Sequence, residues 1–428
     1  MRIIRALALL VALSGCVPVA TTTQSDATKT LMLKDFAYEP NIRTILLQPR
    51  QSMPGTTQGL AVTAVDAPGL ILEFDDLTNS VQRYMARLIH CNYDWTKSTL
   101  QDLDFLSTYN ETPIVNQEYS VDTHIPYIHY EVQLPNVKIP GNYVVAVYRE
   151  GDENDIVLTR RFMVFDTRVM VAGANNLLGP GGIADNNQQL NFSVSYRDLD
   201  VINPLENIRV VIRQNGRWDN LKKDIKPAFA NEIDRQLDYR FFDDSDLFRG
   251  GNEFRFFDLR SLINPGRNVR RVDYNSKPYH VQIELDKSRA DEAYSQYPDL
   301  NGNFILDNYD YRDQNFSNYA FVRFTLFTQT PIAGNIYVAG SFNYWNLDEQ
   351  NRMTYDSASR TYQSEILLKQ GWYDYQYVVD GTGLQKLMME GSHFETENEY
   401  EIFVYHRPFK PNADLLVGYV RLTKNARR

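Results

Sequence analysis

The sequence predicts an all-β protein: three tandem β-sandwich domains, immunoglobulin-like or early-set-like, behind a signal peptide and a tether. Three observations predict it. Apolar residues recur with a period of two almost throughout, helix-compatible stretches are few and broken, and clusters of Gly, Pro, Asn and Asp punctuate the strand-rich blocks.

The first residues carry an address. Met1-Arg2-Ile3-Ile4-Arg5 is a short basic region and Ala6 to Leu13 an apolar run too short to span a bilayer, the make-up of a signal peptide over residues 1–15. Leu13-Ser14-Gly15-Cys16 resembles the lipobox of bacterial lipoproteins, so Cys16 is the expected lipidated N-terminus of the mature chain. Residues 16–30, polar from Thr21 to Thr30, read as a flexible tether. Nothing later approaches the ~20 consecutive apolar residues of a membrane helix, so the body is expected to be held to the membrane by its lipid. Cys91 is the other cysteine, which leaves the body without an intramolecular disulfide. Lys and Arg number 44 against 54 Asp and Glu, and without Arg2 and Arg5 the balance is 42 against 54, or −12. Such acidity disfavours nucleic acid as a partner.

In residues 127–134, Ile128, Tyr130, Val132 and Leu134 alternate with Tyr127, His129, Glu131 and Gln133, a half-buried strand. The pattern recurs at Leu190, Phe192, Val194 and Tyr196, at Ile208, Val210 and Ile212, at Val281, Ile283 and Leu285, and at Tyr373, Tyr375 and Tyr377. Residues 143–148 are apolar on both faces, as expected of a strand between two layers. Between Asp219 and Gln236, Pro227 and short apolar spacing allow one or two helical turns at most. Turn residues gather at 175–187 and 301–318, placing the domains at 31–168, 169–315 and 316–428.

Chemistry is sparse. There is no G-x-S-x-G elbow, phosphate-binding loop or dinucleotide fingerprint, so neither an enzyme nor a cofactor is expected. His90 adjoins Cys91, but neighbours on a strand point to opposite faces, which disfavours a thiol–base dyad. His124 and His129, five apart, are likewise expected on opposite faces as structural histidines. Asp299-Leu300-Asn301-Gly302-Asn303 has the oxygen ligands of a calcium loop without its bidentate Glu, and reads better as an Asn-Gly turn. Gln214-Asn215-Gly216 reads as a second such turn, with Arg217, Arg255 and Asp258 as a candidate ion-pair network around it.

The aromatic strings Gly340-Ser341-Phe342-Asn343-Tyr344-Trp345 and Gly371-Trp372-Tyr373-Asp374-Tyr375 resemble elements of glycogen-binding carbohydrate modules. They make Tyr344, Trp345 and Trp372 candidate ligand or interface aromatics, with core packing as the competing use.

Longer strings run through the first two domains. They are Phe74-Asp75-Asp76-Leu77, His90-Cys91-Asn92-Tyr93-Asp94-Trp95, Thr159-Arg160-Arg161-Phe162, Asn215-Gly216-Arg217-Trp218-Asp219 and Gly251-Asn252-Glu253-Phe254-Arg255. Together these resemble the Plug protein family of the bacterial type IX secretion system. The resemblance implies a non-enzymatic lipoprotein at the periplasmic face of the outer membrane, whose partner is the giant translocon β-barrel that it closes when no substrate passes. It makes Asp75, Asp76, His90, Cys91, Trp95, Asn215, Arg217, Trp218, Asn252, Glu253 and Arg255 family motif residues, structural or interfacial. Residues 17–25 hold no acid, which fits retention on the periplasmic side. The competing function is a glycan-binding lipoprotein of a polysaccharide-uptake system, acting through the third domain.

Overall fold

Alternation in the sequence becomes alternation of burial: the strand Ile128–Gln133 buries Ile128, Tyr130 and Val132 and leaves Gln133 exposed. The structure is a computed structural model that describes residues 29–50, 59–78, 80–176, 186–240 and 247–426, with side chains undescribed at 173–176. The signal peptide, Cys16 and all of the tether before residue 29 lie outside the described residues. The fold is all-β, with multiple antiparallel sheets.

In the first sandwich, one sheet runs Phe36–Ala37, Ile156–Phe165, Gly141–Arg149, Tyr84–Cys91, Thr112–Ile114, and the other Ile42–Gln48, Ile71–Asp76, Ile128–Gln133, Asn116–Tyr119. Phe74, Tyr84, Tyr130, Tyr143, Val145 and Val147 fill the space between them. Phe74 stacks on Tyr130 at 5.2 Å and meets Tyr84 edge-on at 5.4 Å, geometries that aromatic quadrupoles favour.

The strand Gly141–Arg149 is buried on both faces, as its sequence predicts. Tyr143, Val145 and Val147 enter the first core, whereas Val144 and Ala146 pack with Val211, Phe403, Tyr405 and Leu416 of the middle sandwich. There the sheet Met170–Asn176, Asn191–Ser195, Gln236–Tyr239, Phe229–Asn231 lies over Ile208–Gln214, Asn398–His406 and Leu415–Lys424, around Phe192, Val194, Val210, Ile212, Ile402 and Val404.

The third core holds Phe257, Val281, Phe324, Tyr373, Tyr375 and Tyr377. Leu285 departs from its expected alternation, because the strand ends at Ile283 and leaves Leu285 exposed. Residues 219–236 contain no helix; the described α-helices are the single turns Asp102–Phe105 and Pro204–Asn207.

Strand pairing does not respect the expected division between residues 315 and 316. Arg255–Asp258 pairs with Gly371–Asp380, Tyr279–Ile283 pairs in parallel with Tyr319–Phe327, and Ile208–Gln214 pairs with Asn398–His406. The chain therefore leaves the middle sandwich after Phe248–Arg249, builds the third, and returns at Asn398 to complete the middle one. The turn residues at 301–318 lie inside the third sandwich, since Phe304–Leu306 pairs with Gly371–Asp380.

Candidate functional site at the junction of the three sandwiches

Six residues singled out in the sequence converge where the sandwiches meet. Asn215, Trp218, Tyr344 and Trp345 line a cavity of about 430 Å³ together with Arg160, Arg161 and Arg213. Trp95 meets Trp218 edge-on at 4.9 Å, and the Arg161 guanidinium lies over both rings, at 4.8 and 5.2 Å. Arg213 covers Trp218 at 4.3 Å and is paired with Glu401 at 2.6 Å, both deeply buried. Arg217 lies over Trp345 at 4.1 Å while bonding Asp219 through two nitrogens, at 3.0 and 2.7 Å. Arg160 lies over Tyr344 at 4.3 Å. Each placement of an arginine over a ring is a cation–π pair in a partly desolvated setting, where such pairs contribute most.

These contacts occupy the aromatic faces that a sugar would need. Trp345 is buried and packs on Gly302, whose φ of +80° comes from the predicted Asn-Gly turn. Trp372 stacks on Phe256 at 4.4 Å, has the Arg260 guanidinium at 5.3 Å, and donates its indole N–H to Asp374 at 3.0 Å. A Cβ on Gly302 would lie 2.5 Å from the Trp345 ring, at a φ that L-residues resist. Gly302→Ala is therefore expected to cost about 1–3 kcal/mol and to shift the Trp emission, read by urea titration followed by fluorescence.

A buried carboxylate is among the groups that join the first and third sandwiches. Asp75, on Ile71–Asp76, accepts from Lys369 Nζ at 2.7 Å, from the Tyr319 hydroxyl at 2.7 Å, and pairs with His129 Nδ1 at 2.8 Å. Asp76 accepts from Asn41 at 2.7 Å and from the Tyr84 hydroxyl at 2.9 Å. His124 stacks on Tyr279 at 4.0 Å, apart from His129 and its carboxylate.

Residues 42–166 match the family model of the type 9 secretion system plug protein 1st domain. The match covers almost all of the first sandwich, including Asp75, Asp76, His90, Cys91, Trp95, Arg160 and Arg161, and supports the resemblance drawn from their strings. The fold is similar to the crystal structure of a hypothetical protein from Parabacteroides merdae ATCC 43184. That likeness has a TM-score of 0.83 at 26% identity and covers 92% of this chain and 100% of that one. No curated protein matches the chain.

His90 and Cys91 face apart. His90 packs edge-on against Tyr143 at 4.9 Å in the first core, where burial lowers its pKa to about 4. Cys91 faces the cluster shared with the middle sandwich, where burial pushes its thiol up to about 12. Cys91 is thus expected to resist a thiol reagent in the native protein and to react after unfolding, a contrast that labelling with and without denaturant measures.

Asn252, Glu253 and Arg255 form a seam between the middle and third sandwiches. Asn252 donates to the Glu390 carbonyl at 2.9 Å, buried Glu253 accepts the Glu397 N–H at 3.2 Å, and Arg255 bonds Glu390 at 3.0 Å and Asp286 at 2.7 Å. Asp258 pairs instead with Arg260 at 2.7 Å, so Arg217, Arg255 and Asp258 belong to three separate ion pairs and not to the expected single network. Burial, with the nearby Glu253 charge, pushes Asp299 up to about 7. Among the described residues no group of three His, Cys, Asp or Glu side chains is placed to hold a metal ion.

Lys369, Tyr319, Glu390, Arg160 and Arg161 are site residues that sequence reasoning did not single out by themselves. For the last two a signal exists: two adjacent arginines interrupt a strand that is otherwise mostly apolar.

Proposed function

We propose that this chain is a non-enzymatic subunit of the type IX secretion system that docks on the periplasmic opening of the translocon barrel and closes it when no substrate passes. The match of residues 42–166 to the plug protein 1st domain carries the reading. A barrel wide enough for folded cargo leaks solutes unless something bulky and rigid covers it. The cross-connected sheets, with buried ion pairs and aromatic packing between sandwiches, support that mechanical role. Lipidation at Cys16, on the periplasmic side of the outer membrane, would keep the subunit concentrated beside its barrel between docking events. The glycan-binding alternative is weakened by the arginine and aromatic groups already stacked on Trp345 and Trp372.

Deleting the gene is expected to raise envelope permeability to a bulky dye, and re-expression to restore the barrier; unchanged permeability would sink the proposal. Cys16→Ser is expected to lower recovery with the outer-membrane barrel while leaving the thermal unfolding curve of the body in place. Equal recovery would remove the anchor from the mechanism.

A further inference from the structure

The strand Ile156–Phe165 carries Arg160 and Arg161 side by side at the junction cavity. Guanidinium groups taken out of water are normally matched by carboxylates, because an unmatched one keeps its desolvation penalty. Here the match is incomplete. Asp35 lies 3.3 Å from Arg160 Nη1 and also accepts the Arg161 backbone N–H at 2.8 Å. Arg160 Nε is buried with no hydrogen-bond partner among the described residues. Arg161 donates its Nε to the Leu33 carbonyl at 3.0 Å, and among the described residues no carboxylate lies within ion-pairing distance of its guanidinium. Burial depresses the Arg161 pKa, and the neighbouring Arg213 and Arg160 charges add to the depression against the opposing pull of Asp35. Trp95 and Trp218 hold this cation in place, so its position is set in advance.

We infer that the junction cavity is a binding site for an organic ligand bearing an oxyanion, a carboxylate or a phosphate, received by Arg160 and Arg161. A planar guanidinium fork suits both groups. At about 430 Å³ the cavity has room for more than a bare anion, and Leu46, Leu60 and Phe304 offer an apolar wall for the rest of the ligand. Asp35, Asp299 and Glu399 also line the cavity, but Glu399 pairs with Arg421 and Asp299 accepts the Phe254 and Asn301 backbone N–H groups, so neither of these two forms an ion pair with Arg160 or Arg161. The inference is independent of docking on a barrel.

The test titrates the full mature chain with citrate, glycerol 3-phosphate and, as an ionic-strength control, sodium chloride, following Trp emission and the heat of binding. Saturable binding of citrate alone assigns a carboxylate ligand, and of glycerol 3-phosphate alone a phosphoryl ligand; either supports the site. Arg161→Gln and, separately, Arg160→Gln are each expected to weaken that binding about tenfold or more. Arg323→Gln, on the exposed face of the third sandwich, should leave it within about twofold. Arg160→Gln keeps the Trp95–Arg161–Trp218 stack and so serves where Arg161→Gln fails to fold. No saturable response to either probe, a response matched by sodium chloride, or an equal loss in Arg323→Gln overturns the inference.

Discussion

Lys369→Met is expected to lower the unfolding free energy by about 3–5 kcal/mol, measured by urea denaturation. The Lys369 side chain is 4% exposed and its carboxylate partner Asp75 0%, so the substitution leaves a charge in a place water does not reach. The Tyr319 hydroxyl and His129 still bond the carboxylate but do not replace a full positive charge at 2.7 Å. Asp75→Asn should cost a similar amount by stranding the ammonium. The double variant should regain part of both losses, since two neutral side chains carry no stranded charge, and the cycle reads the coupling directly. Burial alone would raise the Asp75 pKa; the Lys369 charge and the His129 hydrogen bond outweigh it and hold the group at about 2. The folded value lies below the unfolded ~3.9, so the pair's stabilisation is complete above about pH 5 and is lost as pH falls through ~4 toward 2. The wild type should lose about 2–3 kcal/mol across that window from this group, and Asp75→Asn should lack that component. A Lys369→Met loss below about 1 kcal/mol would mean that water or a rearranged neighbour reaches the carboxylate.

The strands were largely legible because period two reports which side chains face inward. Tyr373, Tyr375 and Tyr377 do share one core, and the doubly apolar run at 143–148 does lie between two layers. Partnership between strands was not legible in the same way. Alternation is a property of one strand, while the neighbour of Ile208–Gln214 lies some 190 residues onward, at Asn398–His406. Tandem order was the simplest assumption, and only the hydrogen-bond ladders reveal the excursion into the third sandwich and the return. The same limit applied to the site. Asp75 stood out in its Phe-Asp-Asp-Leu string, but Lys369 is 294 positions away and looks like any lysine at a strand end. Trp95, Trp218 and Trp345 were conspicuous as types. That arginines cover their faces depends on how three sandwiches come together, which no local pattern encodes.

Glu390→Gln should be of comparable severity, about 3–5 kcal/mol, and should act on a different seam. This carboxylate is 1% exposed and receives Arg255 Nε at 3.0 Å, Arg289 Nη2 at 2.6 Å and the Tyr377 backbone N–H at 2.8 Å. Burial pushes its pKa up, but the Arg255 and Arg289 charges outweigh that and hold it at about 2. With Asp286, which pairs with Arg255 at 2.7 Å and accepts the Tyr375 and Tyr377 hydroxyls at 2.7 Å each, the cluster balances two cations against two anions. Gln keeps the shape and some hydrogen bonds but leaves the two guanidiniums facing one carboxylate. Arg289 also donates to the Glu253 carbonyl at 2.9 Å, and Asn252 to the Glu390 carbonyl, so the loss is transmitted to the segment where the chain enters the third sandwich. Amide exchange is therefore expected to accelerate around residues 252–258 and 373–378, while the first core around Phe74 and Tyr130 keeps its protection. Acceleration spread evenly over all three sandwiches would show instead that the seam does not open by itself, and that the cluster stabilises the molecule as one cooperative unit.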